Sequence, residues 1–181
     1  METYLLDTNI ISDFGNEKSE HHAICRARLK AAAEVGATVI LPVIAIAEIE
    51  FGLQVGGKPD SELARTIRRF LSDFQHEAFK DSSVEPYALI RSRLFHLHGT
   101  SRGKRKGFRE KRPEDLQDRV TGKELGIDER DLLIASIAIE YNCVFVTDDS
   151  NPGMSRIREA ADALAAEGSP TQLRVENWRK A

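Results

Sequence analysis

Five carboxylates stand where a soluble chain has little need of them: Asp7, Glu48, Asp131, Asp148 and Asp149. Asp7 ends the apolar run that opens "YLLDTNIISDF" at residues 4–14, and Asp148 and Asp149 end the run of "CVFVTDD" at 143–149. Glu48 sits within "VIAIAEIEFGL" (43–53), with Ile44 four residues before it and Phe51 three after, a helical face that favours burial. A carboxylate buried there is costly unless it is paired. Asp131 opens "DLLIASIAIEYN" (131–142) at a helix-capping position. Carboxylates collected in one place repel each other and cannot all stay ionised without a cation. A hard divalent ion meets that need, because Mg2+ takes carboxylate and water oxygens. Such an ion can activate water and stabilise the charge that builds on a phosphate during in-line displacement. No histidine or cysteine has the spacing of a zinc site. The two histidines of "HLH" (96–98) lie two apart on a predicted helix and so point to different faces. Each acid taken singly has a plainer explanation, Asp7 and Asp131 as caps and Asp148 and Asp149 as turn residues before Asn151–Pro152. It is their joint placement that points to a site.

The elements that must position these acids alternate between two periods. Tyr4, Leu5 and Leu6 form a short buried strand, and Thr8 and Asn9 are capping residues for a helix begun by "IISDF". The pattern predicts a helix over 21–36 stopped by Gly36, a strand over 37–42, and a helix over 43–53 that is apolar nearly all round and therefore buried. "GGKP" (56–59) breaks the chain before a helix over 61–74 capped by Ser61. A weak strand or loop falls near 76–84, and a helix over 85–99 follows. Residues 131–142 are helical, 143–149 a strand, 152–168 contain a helix, and 172–178 a final short strand. Strands alternating with helices predict an α/β fold with a central, mostly parallel sheet covered on both faces. Ligands bind such sheets beyond the carboxyl ends of the strands, where Asp7, Asp148 and Asp149 stand.

Length and composition bound the rest. The 181 residues suit one domain, 1–181, and 41% hydrophobic with 30% charged residues reads as soluble and globular. A net charge of −3 gives no global attraction for polyanions, so any grip on nucleic acid must be local. Cys25 and Cys143 lie in apolar or helical stretches, which predicts free, buried thiols and a reducing compartment. No stretch approaches the roughly 18 apolar residues needed to span a bilayer, and the expected location is cytoplasmic.

Four segments together, "LLDTNIISDF", "PVIAIAEIEFGL", "DERDLLIASIAIEYNCVFVTDD" and "LRVENW", resemble PIN-domain ribonucleases, most closely the toxin half of VapBC-type toxin–antitoxin pairs. The resemblance covers nearly the whole chain, with the motifs in order. It implies a PIN-like three-layer α/β/α fold, Mg2+ or Mn2+ as cofactor, and endonucleolytic cleavage of RNA. Carried over position by position, it implies Asp7, Glu48, Asp131 and Asp148 as catalytic acids and metal ligands. Asp148 is the nearer match at the last position and the adjacent Asp149 a second contributor. Asn9 matches the polar residue after the first acid, and Thr147 the threonine before the last. The resemblance also implies a small cognate antitoxin and a homodimer or toxin–antitoxin hetero-oligomer.

One stretch departs from the family pattern. Residues 100–126 read as a charged insertion or enlarged loop before the third acid. Arg102, Lys104, Arg105, Lys106, Arg109, Lys111 and Arg112 stand there against one acid, Glu110, with Phe108 available to stack. That composition suits an arm gripping RNA phosphates, or else a solvated loop. Two other phosphate chemistries fit less well. A dehalogenase-type phosphotransferase wants an acid two residues after the first, where this chain has Asn9, and a receiver domain wants a lysine after its last strand. A non-catalytic PIN-like binding domain is the remaining alternative, and the filled acid positions argue against it.

Overall fold

The computed structural model describes residues 1–98, 112–118, 120–148 and 152–180. Its central strand is β1 (Thr3–Leu6), with Leu5 and Leu6 fully buried. Beside it lie β2 (Thr38–Pro42) and β4 (Val144–Val146), and at the edges β3 (Gln75–Glu77) and β5 (Arg174–Glu176). The spatial order is β3-β2-β1-β4-β5, and every pairing is parallel. The order runs outward in both directions from β1, so the topology switches between β1 and β4. Parallel strands all end at the same edge, which places residues following β1 and β4 side by side there.

Seven α-helices accompany the sheet among the described residues: α1 (Thr8–Gly15), α2 (His22–Glu34), α3 (Val43–Val55), α4 (Glu62–Ser72), α5 (Val84–His98), α6 (Glu129–Glu140) and α7 (Pro152–Ala166). The α/β class expected from the alternating pattern is the class observed. Ser61 caps α4 as predicted, its hydroxyl accepting from Ala64 N at 3.2 Å. Gly36 ends α2 with φ +72°, a conformation that suits glycine.

The chain forms two compact units interleaved in sequence. One comprises Met1–Phe79, Tyr141–Asp148 and Arg174–Ala181, and so holds the whole sheet with α1 to α4. Its core includes Leu5, Leu6, Leu41, Ile10 and Phe145. The other comprises the described residues of Lys80–Glu140 and Asp149–Leu173, in which α5 packs against α6 and α7. Its core includes Ile90, Leu94, Ile134, Ile137 and Ile157. In this unit α7 starts hard against a loop. A Cβ added at Gly153 would stand 2.0 Å from Gly126 O, so only glycine permits the approach.

Two expectations are corrected. Helix α3 is not buried all round: Ala45 is its buried residue, whereas Phe51 is 69% and Val55 70% exposed. The helix packs against α1 and β2. An apolar composition cannot tell which side of a helix finds a neighbour in its own chain. The second correction concerns Asp131, which is not a cap. α6 begins at Glu129, the Asp128 carboxylate accepts from Arg130 N at 2.8 Å, and Asp131 stands inside the first turn.

Candidate active site

Register builds the site. Leu6 pairs with Val146, and Asp7 N continues the ladder by donating to Val146 O at 2.9 Å. The next residues on the two strands, Asp7 and Thr147, therefore emerge side by side. The Thr147 hydroxyl donates to Asp7 Oδ2 at 2.5 Å. Thr8 N donates to Asp7 Oδ1 at 2.7 Å, which makes Asp7, rather than Thr8 or Asn9, the N-cap of α1. The positive end of a helix favours a carboxylate in that position.

Asn9 turns its side chain back to this acid. Its Nδ2 donates to Asp7 Oδ2 at 2.9 Å and lies 3.3 Å from Thr147 Oγ1. The Thr8 hydroxyl donates to Glu48 Oε2, so the second acid joins the first through one intervening residue. Glu48 is half-buried, not sunk in an apolar face, and Phe51, three residues on, is exposed. Asp7 is 7% exposed, and burial pushes its carboxyl above the usual aspartate range. The hydrogen bonds from Thr147 and Thr8 oppose that shift, while the nearby Glu48 charge adds to it.

Asp148 closes the same edge and is already engaged. Asn177 Nδ2 donates to its Oδ1 at 3.1 Å and Arg179 Nη1 to its Oδ2 at 2.8 Å. Arg179 and Asp13 escaped the sequence reading. Asp13 is 5% exposed and accepts from Arg179 Nε at 2.8 Å and from the Ser19 hydroxyl at 2.6 Å. A signal for Asp13 was present: it lies among Ile10, Ile11 and Phe14, all buried on α1. Nothing in "NWRK" marks Arg179 as a partner of residues so far away in sequence.

The five expected acids thus divide. Asp7, Glu48 and Asp148 lie in the unit that holds the sheet, and the geometry links Asp7 to Asn9, Thr8, Glu48 and Thr147. Asp131 lies on α6 in the other unit. Asp149 falls outside the described residues, as do Arg102, Lys104, Arg105, Lys106, Arg109 and Lys111. Arg112 is described, and is exposed just before the turn Pro113–Asp115.

The donor chemistry around Asp7 is all oxygen: carboxylates, hydroxyls and an amide. Among the described residues no donor reaches the buried Asn9 Oδ1, which leaves a hard ligand atom beside a carboxylate in need of positive charge. That set fits Mg2+ or Mn2+ better than a soft metal. Among the described residues, no three histidine, cysteine, aspartate or glutamate side chains converge in a ready-made metal cage. Thiol chemistry is disfavoured, because burial pushes the Cys25 and Cys143 thiols up to about 11. Both cysteines are free and buried, as expected.

A family model described as PIN domain matches residues 4–160. No curated protein matches the chain in sequence. Among solved structures, the fold is similar to that of VapBC2 from Rickettsia felis bound to a DNA fragment from its promoter, at 23% identity and a TM-score of 0.57 over 97% of this chain and 98% of that one. It is similar to VapBC-1 from nontypeable Haemophilus influenzae, at 18% identity and a TM-score of 0.57 over 98% of this chain and 99% of that one. A toxin–antitoxin complex from Klebsiella pneumoniae gives 15% identity and a TM-score of 0.51 over 82% of this chain and 88% of that one. Identities this low speak for the fold alone.

Proposed function

The chain belongs to the PIN domain family, and on that premise we propose that it is a metal-dependent endoribonuclease, the toxin component of a toxin–antitoxin pair. The observation that carries the reading is Asp7: a buried carboxylate at the switch point of a parallel sheet, held by Thr8 N, Thr147 and Asn9. Asp7, Glu48, Asp131 and Asp148 or Asp149 would hold Mg2+ or Mn2+. Such an ion, when bound, lowers the pKa of water and neutralises charge at phosphorus. The chain's own residues prepare that chemistry. Thr147 and the α1 backbone fix the direction in which Asp7 presents its oxygens. The Thr8 hydroxyl does the same for Glu48. Asp131 enters the set through its position in the sequence motif.

Partners follow from the family and the structural neighbours. A small antitoxin is the proposed neutralising partner, with a homodimer or toxin–antitoxin hetero-oligomer as the assembly. No helix among the described residues is long and apolar enough to cross a membrane, and the proposed setting is the cytoplasm. The alternative, a PIN-like domain that only binds RNA or protein, predicts no cleavage. The deciding experiment is incubation of the purified chain with a mixed RNA pool in Mg2+, in Mn2+ and in EDTA. Fragments with either ion and none in EDTA are expected. RNA intact under all three conditions would refute the nuclease reading.

The charged arm has its own expected outcome. If it tracks phosphates, it supplies affinity and not chemistry. Replacing Arg102, Lys104, Arg105 and Lys106 by Gln removes four positive charges. The slope of log affinity against log salt is about −0.7 per phosphate neutralised on single strands, so four lost contacts flatten it by roughly 3. Binding is measured in an Asp7→Asn background so that the RNA survives. An unchanged slope means that the arm does not hold RNA.

A further inference from the structure

Arg179 sits three residues past β5 and spends its whole guanidinium on the acidic edge of the sheet. Nε donates to Asp13 Oδ2 at 2.8 Å, Nη1 to Asp148 Oδ2 at 2.8 Å, and Nη2 to the Asn9 carbonyl at 3.1 Å. The Arg179 side chain is 20% exposed, and the side chains of its acidic partners Asp13 and Asp148 are 8% and 25% exposed. Asn177 anchors the arrangement: its Oδ1 accepts from Arg179 N at 2.8 Å, and its Nδ2 donates to the other oxygen of Asp148 at 3.1 Å. Both oxygens of Asp148 are therefore held from the C-terminal segment. A planar fork can serve three acceptors in this way, whereas a lysine, with its single nitrogen, cannot reproduce the geometry.

We infer that Arg179 is the resident counter-ion of the acidic site, a positioning residue that aligns Asp148 and opposes divalent-ion binding, so that the C-terminal segment sets metal affinity. The inference rests on the proposed metal-dependent function. Its logic is charge competition. A fixed guanidinium already sets a positive charge against Asp13 and Asp148, and it holds oxygens that an incoming cation would otherwise attract. Its removal leaves more uncompensated negative charge, and a divalent ion gains more than a monovalent one from that charge.

The test is a Mn2+ titration of thermal unfolding on the full chain and its variants, with RNA cleavage rates alongside. Arg179→Gln should lower the Mn2+ concentration for half-maximal stabilisation by roughly tenfold and also lower kcat, because Asp148 loses its alignment. Arg179→Lys keeps the charge and loses the fork; its Mn2+ midpoint should stay within about twofold of the parent's while kcat falls. Asn177→Ala keeps the guanidinium and removes its anchor. It should lower the midpoint by about threefold, and it serves if Arg179→Gln does not fold. A purely structural role would move metal-free stability and leave the midpoints alone. Midpoints equal to the parent's in Arg179→Gln, or in Asn177→Ala where that variant serves, overturn the inference while the nuclease reading stands. A parent chain that Mn2+ does not stabilise overturns the metal reading and this inference together.

Discussion

Asp7→Asn should abolish RNA cleavage, lowering the rate by roughly a thousandfold or more, equivalent to about 4 kcal/mol of barrier. The substitution keeps size and polarity and removes the charge at the centre of the proposed set. The fold should survive it. Asp7 accepts from Thr8 N on one oxygen and from Thr147 and Asn9 on the other. After Asp7→Asn the carbonyl oxygen can keep the first bond. The new amide nitrogen can donate to Asn9 Oδ1 once that side chain flips, satisfying the atom that lacks a donor among the described residues.

Stability should even rise in metal-free buffer. Burial raises the Asp7 carboxyl above 3.8, so the folded state binds its proton more readily than the unfolded state. Ionised Asp7 therefore costs stability above the folded value, and that cost disappears as the pH falls toward and below 3.8. The variant carries no such cost. Its melting temperature in EDTA should exceed the parent's at pH 7, and the gap should close on acidification. Wild-type cleavage by Asp7→Asn would sink the proposed role, and a variant that melts well below the parent at pH 7 would contradict the electrostatic description.

Gly153→Ala should have the opposite profile, a large stability loss without any change in the acids. The added methyl would stand 2.0 Å from Gly126 O, 2.8 Å from Gly126 C and 3.0 Å from Ile127 Cα. These are backbone atoms, and Ile127 is 1% exposed, so they cannot swing aside as a side-chain tip would. Either α7 or the 126–127 loop must shift, at about 3 kcal/mol by comparison with overpacked cores. For a chain of this size that corresponds to roughly 6–12 °C in melting temperature. Gly52→Ala is the matched comparison, because nothing lies within 4 Å of the added Cβ and the site is within α3. It should stabilise by up to about 1 kcal/mol. If both variants melt at the parental temperature, the close approach of Gly153 to the loop is wrong.

The two kinds of residue differ in how legible they were. The strand-end acids Asp7 and Asp148 could be read because an apolar run ending in a carboxylate is a local pattern, and parallel α/β topology says what lies beyond strand ends. Glu48 could be read from its apolar neighbours, although the reason was partly wrong: its helix exposes Phe51 and Val55, and its acid is half-buried. Asp131 was placed on the right helix but as its cap, because the competing cap Asp128 lies only three residues earlier. Arg179 could not be read at all. Its partners Asp13 and Asp148 are 166 and 31 residues away, and neighbouring residues carry no trace of a tertiary ion pair. The division into two compact units was hidden for a similar reason: the chain crosses between them at 79–80, 140–141, 148–149 and 173–174, and local composition does not say which of the separated segments pack together.

The most direct measurement of the central claim, that these acids form a divalent-cation site, is the melting temperature of the full chain in EDTA and in rising Mg2+ or Mn2+. An ion that binds the folded chain and not the unfolded one stabilises by RT ln(1 + [L]/Kd), about 1.4 kcal/mol at ten times Kd. That is roughly 3–6 °C for a protein of this length. The expected result is a saturable rise in the parent that is lost when Glu48→Gln and Asp131→Asn are combined. A melting curve that millimolar Mg2+ and Mn2+ leave unchanged, or a rise that persists in the double variant, would contradict it.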